Sequence, residues 1–169
     1  MAGYLLDTSV LIALVDPKSP HHQAAHRAIS LMSPSDLQFV SAISIGEIST
    51  GVAGIQRVHG KTPLHAHQVL AEAQTRSLLN ITGQVGECFG ALKAAMAARF
   101  MPNSRRKPPY LEDWIVEVAT GKRLGINEND LWICAQGYER DLNVLSCDKD
   151  FERVQEAEPR FEVHIIRSN

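Results

Sequence analysis

The chain reads as an α/β protein in which a mostly parallel sheet of about five strands lies between two layers of helices, a three-layer α/β/α sandwich. Short apolar runs of strand length alternate with longer runs whose apolar residues recur at helical spacing. Repeated βα alternation of this kind implies parallel strands covered on both faces. The length, 169 residues, suits one domain, residues 1–169, able to bury its own core. Apolar residues make up 44% and charged residues 21%, values of an ordinary globular protein.

Residues 4–7 form a short apolar strand ending in Asp7, and residues 9–14 continue as a helix closed near Asp16-Pro17. Residues 22–32 carry Ala25, Ile29 and Met32 at helical spacing, and Ser33-Pro34-Ser35 stops them. A second strand spans 37–43, and a helix from Ser44 turns Ile45, Ile48 and Val52 inward. Gly60-Lys61-Thr62-Pro63 is a turn before a helix carrying Leu64, Val69, Leu70 and Leu78, followed by a strand at 79–82. Residues 83–99 are helical after their first few. Residues 101–109, rich in Pro, Asn, Ser and Arg, form an exposed loop, and 110–120 resume as helix. Asn127-Glu128-Asn129-Asp130 opens a helix through Leu131, Ile133, Ala135 and Tyr138, and strands at 143–147 and 163–166 complete the sheet.

Four acids, Asp7, Glu47, Asp130 and Asp148, each stand where a strand-like run meets a helix or turn. Open parallel sheets place their ligands at the carboxyl ends of strands, so Asp7 and Asp148 are expected on one rim. Two carboxylates about 4 Å apart repel by roughly 4 kcal/mol at an effective dielectric near 20, a cost that bound Mg²⁺ or Mn²⁺ converts into coordination. Each acid also has a purely structural use. Asp7 can cap the first helix. Ser44-Ile45-Gly46-Glu47 fits a capping box. Asp130 complements a helix dipole, and Asp148 can open the turn Cys147-Asp148-Lys149-Asp150.

Four segments carry a resemblance: Leu5-Leu6-Asp7-Thr8-Ser9-Val10-Leu11-Ile12, Ser44-Ile45-Gly46-Glu47-Ile48 with Gly51, Asn129-Asp130-Leu131-Trp132-Ile133-Cys134-Ala135, and Leu145-Ser146-Cys147-Asp148-Lys149-Asp150-Phe151. In this order, spread over nearly the whole chain, they resemble PIN-domain ribonucleases, and most of all the VapC-like toxins of type II toxin–antitoxin pairs. The resemblance implies that Asp7, Glu47, Asp130 and Asp148 form a catalytic, metal-binding pocket for Mg²⁺, with Mn²⁺ a substitute. It implies that Thr8 or Ser9 orients the first carboxylate or a metal-bound water, with Asp150 an accessory acid or simply a turn residue. The implied reaction is hydrolytic endonucleolytic cleavage of RNA, leaving a 5′-phosphate and a 3′-hydroxyl. A small cognate antitoxin and a homodimer are the implied protein partners. Two other readings stand beside it: a PIN-like RNA- or protein-binding scaffold without turnover, and an aspartate-based phosphotransfer enzyme. The second lacks the D-x-D start of the haloacid-dehalogenase type, having Asp7-Thr8-Ser9.

Between residues 88 and 110 the chain has Lys93, Arg99, Arg105, Arg106 and Lys107 and no acid. Arg99, Arg105, Arg106 and Lys107 are therefore candidate RNA contacts, within a basic extension of the domain at about 100–122. The formal net charge of -2 neither announces nor excludes such a partner. An apolar groove near helices 22–32 and 44–55 is a candidate dock for an amphipathic partner helix. Cys88, Cys134 and Cys147 form no CxxC pair and read as buried thiols. The seven histidines make no H-E-x-x-H, and no G-x-x-x-x-G-K-[ST] loop is present. Without a secretory leader or a membrane-length apolar run, the expected location is the cytoplasm.

Overall fold

The computed structural model describes residues 1–61, 64–100 and 125–168. The elements run β1 (Gly3–Leu6), α1 (Thr8–Val15), α2 (His22–Ser30), β2 (Leu37–Ser41), α3 (Ala42–His59), α4 (Leu64–Gln74), β3 (Ser77–Leu79), α5 (Gly83–Phe100), α6 (Glu128–Glu139), β4 (Asn143–Ser146), α7 (Phe151–Ala157) and β5 (Val163–Ile165). The five strands form one sheet in the order β3-β2-β1-β4-β5, every pairing parallel. The chain moves outward from β1 through β2 to β3, then returns to pair β4 on the other side of β1. Connections thus diverge between β1 and β4, the switch point at whose carboxyl end open α/β sheets bind their ligands.

Alternating side chains divide the core in two. Leu5 and Val144 point into a cluster with Val85, Leu92, Met96 and Phe151 from α5 and α7, whereas Leu6, Val40 and Leu145 point into one with Val10, Leu11 and Val69 from α1 and α4. Both faces of the sheet are therefore covered, which is why its strands read as near-continuous apolar runs.

Some boundaries depart from the sequence reading. β2 stops at Ser41 because the Ser41 hydroxyl accepts from the Ile43 N–H at 2.9 Å and caps α3, which starts at Ala42 rather than Ser44. Glu47 consequently lies in the second turn and closes no capping box. β3 occupies 77–79, earlier than 79–82, with Leu78 paired to Val40 instead of ending α4. α7 was not expected as a helix, although Phe151 and Val154 bury one face of it. α3 ends at Gly60, whose φ of 61° closes it left-handed. The proposed loop at 101–109, the helix at 110–120 and the basic extension at about 100–122 lie, apart from Phe100, outside the described residues. Among the described residues, no helix is long and apolar enough to cross a membrane.

Candidate metal centre

Asp7 follows β1 directly. Its N–H donates to the Leu145 carbonyl at 2.9 Å, extending the β1–β4 ladder by one bond, while its side chain caps α1. Only 3% of it is exposed. Oδ1 accepts from the Thr8 N–H at 2.7 Å; Oδ2 accepts from the Ser9 N–H at 3.3 Å, the Ser9 hydroxyl at 2.5 Å and the Ser146 hydroxyl at 2.9 Å. Burial raises its pKa above the ordinary value despite these four donors, which pull it down. Both hydroxyls have a second duty. The Ser9 oxygen accepts from the Cys147 N–H at 3.0 Å and the Ser146 oxygen from the Asp148 N–H at 2.9 Å, so the turn after β4 is tied to the turn after β1.

Glu47 reaches the same edge from α3. Its Oε2 accepts from the Thr8 hydroxyl at 2.6 Å and its Oε1 from the Asn129 amide at 2.9 Å. Thr8 therefore holds Glu47, and Ser9 holds Asp7. Asp130 stands in the first turn of α6, where Asn127 is the cap. Burial and then the charges of Asp7, Glu47, Asp148 and Asp150 push its pKa up to about 7. Asp148 is exposed and accepts from the Asp150 N–H at 2.9 Å. Asp150 precedes α7 without capping it through its side chain, so it both forms the turn and adds charge toward Asp130.

The four acids predicted from the sequence thus converge, with Asp150 beside them. Asp130, Asp148 and Asp150 line a depression of about 600 Å³ with Asn127, Glu128 and Asn129. Among the described residues, no three His, Cys, Asp or Glu side chains stand close enough to hold one ion directly. All-oxygen donors at this looser spacing suit Mg²⁺, which keeps several waters and takes one or two carboxylates, better than a cation needing a closed protein cage. Asn129 and Ser146 were not expected to take part. Asn129 precedes Asp130 and Ser146 is two residues before Asp148, but only the fold shows what each touches.

Arg99 does not face the depression: it pairs with Glu156 of α7 at 2.6 Å. Arg105, Arg106 and Lys107 lie outside the described residues. A pocket beside α2 is lined by Tyr4, Leu145, Ile165 and Ile166 among others. Of the cysteines only Cys134 is fully buried; Cys88 and Cys147 are partly exposed. His22 and His26 meet the Ala13 and Leu14 carbonyls at the end of α1, and Trp132 stacks on Phe89 with ring centres 3.9 Å apart.

Fold and site define a parallel α/β protein with a carboxylate crevice at its topological switch point. The chain belongs to the PIN domain family, whose model matches residues 4–157. No curated protein matches it in sequence at a significant level. Among solved structures it is similar to VapBC2 from Rickettsia felis bound to a promoter DNA fragment, with 11% identity, TM-score 0.61 and coverage of 98% of this chain and 99% of that one. VapBC-5 of Mycobacterium tuberculosis, from the VapBC family of toxin–antitoxin systems, gives 22% identity, TM-score 0.57 and 99% coverage of both chains. VapC20 of the same organism, a sarcin–ricin loop cleaving toxin, gives 16%, 0.51, and 88% and 92%.

Proposed function

We propose that the protein is a Mg²⁺-dependent endoribonuclease and the toxin of a toxin–antitoxin pair. The observation that carries this reading is the convergence of Asp7, Glu47, Asp130 and Asp148 at the switch point, where burial and then the neighbouring acids push Asp130 up to about 7. Titratable groups whose pKa is raised by burial together with neighbouring charges of like sign, gathered in a cleft, mark a functional site. A divalent ion bound there would supply a nucleophile near neutral pH and offset charge on the attacking and leaving oxygens. The residues' share is positional. Asp7 is locked by four donors, Oδ1 keeping a lone pair for coordination, and Glu47 is held at both oxygens. Asp130 and Asp148 border the open depression where a phosphodiester can approach. Similarity to VapBC structures supports an antitoxin as partner, and the cleaving toxin among them supports an RNA substrate; a homodimer is the assembly we expect from the family resemblance.

Asp7→Asn keeps the capping oxygen and removes the charge, so it should abolish RNA cleavage and growth inhibition while leaving the far-ultraviolet spectrum unchanged. Metal-dependent cleavage by a clean preparation of this variant would overturn the assignment. The scaffold reading predicts RNA binding without calorimetric Mg²⁺ or Mn²⁺ binding. Phosphotransfer is disfavoured because Asp7 Oδ2 already accepts three hydrogen bonds in a buried site.

A further inference from the structure

A second depression, of about 790 Å³, also has Asp148 in its wall. The two depressions therefore adjoin at Asp148. Their chemistry differs. Among the described residues the acidic depression has no Lys or Arg in its wall, whereas the second sets Lys149, Arg167 and His21 beside the acids Asp148 and Glu152, over a floor of Ile165, Ile166 and Cys147. Lys149 is exposed and has no ion-pair or hydrogen-bond partner for its ammonium among the described residues. Arg167 is held by Glu152 at 3.0 Å, but both side chains are substantially exposed, at 78% and 45%, and such a pair is weak enough to exchange for a phosphate.

We propose that this pocket is a binding subsite for the RNA strand adjoining the scissile phosphate, one backbone phosphate lying between Lys149 and Arg167 and the sugar or base of that nucleotide against the apolar floor. A polyanion drawn across a rim of carboxylates needs cations beside it, and the wall shared at Asp148 places these two next to the reacting position. Arg99 does not line this pocket and plays no part. The proposal rests on the ribonuclease reading, and its test separates the two.

Binding of a 5′-labelled single-stranded RNA to the full chain is followed by fluorescence anisotropy across a salt series, beside calorimetric Mg²⁺ binding and cleavage kinetics. Each phosphate contact on a single strand contributes about 0.7 to the slope of log affinity against log salt. Lys149→Ala and Arg167→Ala should each lower that slope by about 0.7, raise KM more than they lower kcat, and leave Mg²⁺ affinity unaltered. Lys149→Arg should restore the slope, and Glu152→Gln, which releases Arg167, should tighten RNA binding. Wild-type cleavage with an unchanged slope and KM in both alanine variants overturns the subsite and leaves the nuclease standing. A slope that falls with Arg99→Ala instead overturns it in favour of the α5 side. Absence of RNA binding and cleavage in the wild type overturns both.

Discussion

Replacing Asp130 by Asn should stabilise the metal-free protein, although it removes a residue on which activity is expected to depend. The folded carboxyl holds its proton to about pH 7 against an ordinary 3.8. Between those values the unfolded chain has lost the proton that the folded chain keeps, so rising pH favours unfolding, and above pH 7 the penalty is complete. A gap of about three pH units corresponds to roughly 4 kcal/mol. Partial exposure of the carboxyl to water cuts that to about 2 kcal/mol, and losing a charge from the first turn of α6 returns about 0.3–1 kcal/mol. The net gain above pH 7 is then about 1–2 kcal/mol, or roughly 3–6 °C in Tm for a chain of this length. Thermal melts in chelator from pH 4 to 8 should show the variant equal to wild type at the acid end and increasingly more stable above it. Saturating Mg²⁺ should reverse the order, since a ligand at a hundred times its Kd adds about 2.7 kcal/mol to wild type alone. A variant no more stable than wild type at pH 8, or a difference that ignores pH, would refute the claim that burial and the neighbouring acids hold the Asp130 carboxyl protonated.

Other substitutions separate the parts of the site. Asn129→Ala frees Glu47 Oε1 and should weaken Mg²⁺ binding about tenfold by calorimetry, with little change in Tm because Asn129 is exposed. Ser146→Ala removes a donor from the buried Asp7 carboxylate and an acceptor from the Asp148 N–H; denaturant titration should show a loss of about 1.5–3 kcal/mol. That variant also removes one of the bonds lowering the Asp7 pKa, so the acid limb of its pH–rate profile should move to higher pH. Gly137→Ala would set a Cβ 2.5 Å from Val144 Cγ2 where α6 crosses β4, and should cost about 1–3 kcal/mol while leaving Mg²⁺ affinity intact.

The sheet was legible because its strands are buried on both faces: apolar runs at 4–6, 37–41 and 143–146 need no partner information to be recognised. β3 was harder. Leu78 and Leu79 fit the tail of a helix or a short strand equally well, and pairing with Val40 and Ser41 decides between them. α7 was missed because seven residues hold only two buried apolar positions, too few to announce a period. The convergence of Asp7 and Asp148 followed from strand ends on one rim. That Glu47 and Asp130 approach the same rim from separate helices came from family resemblance, since nothing local in either segment states the path by which its helix returns.

Asp7 and Glu47 show why a structural use and a chemical one need not compete for an acid. At Asp7 they coincide: capping α1 fixes the carboxylate rotamer at the strand end where its charge acts on Asp130. At Glu47 they separate, because Ser41 caps α3 first and the glutamate is released to Thr8 and Asn129 across the chain. A capping box would have turned that side chain back upon its own helix end. Moving the cap by three residues toward the N-terminus therefore commits Glu47 to the crevice, where its charge acts on Asp130.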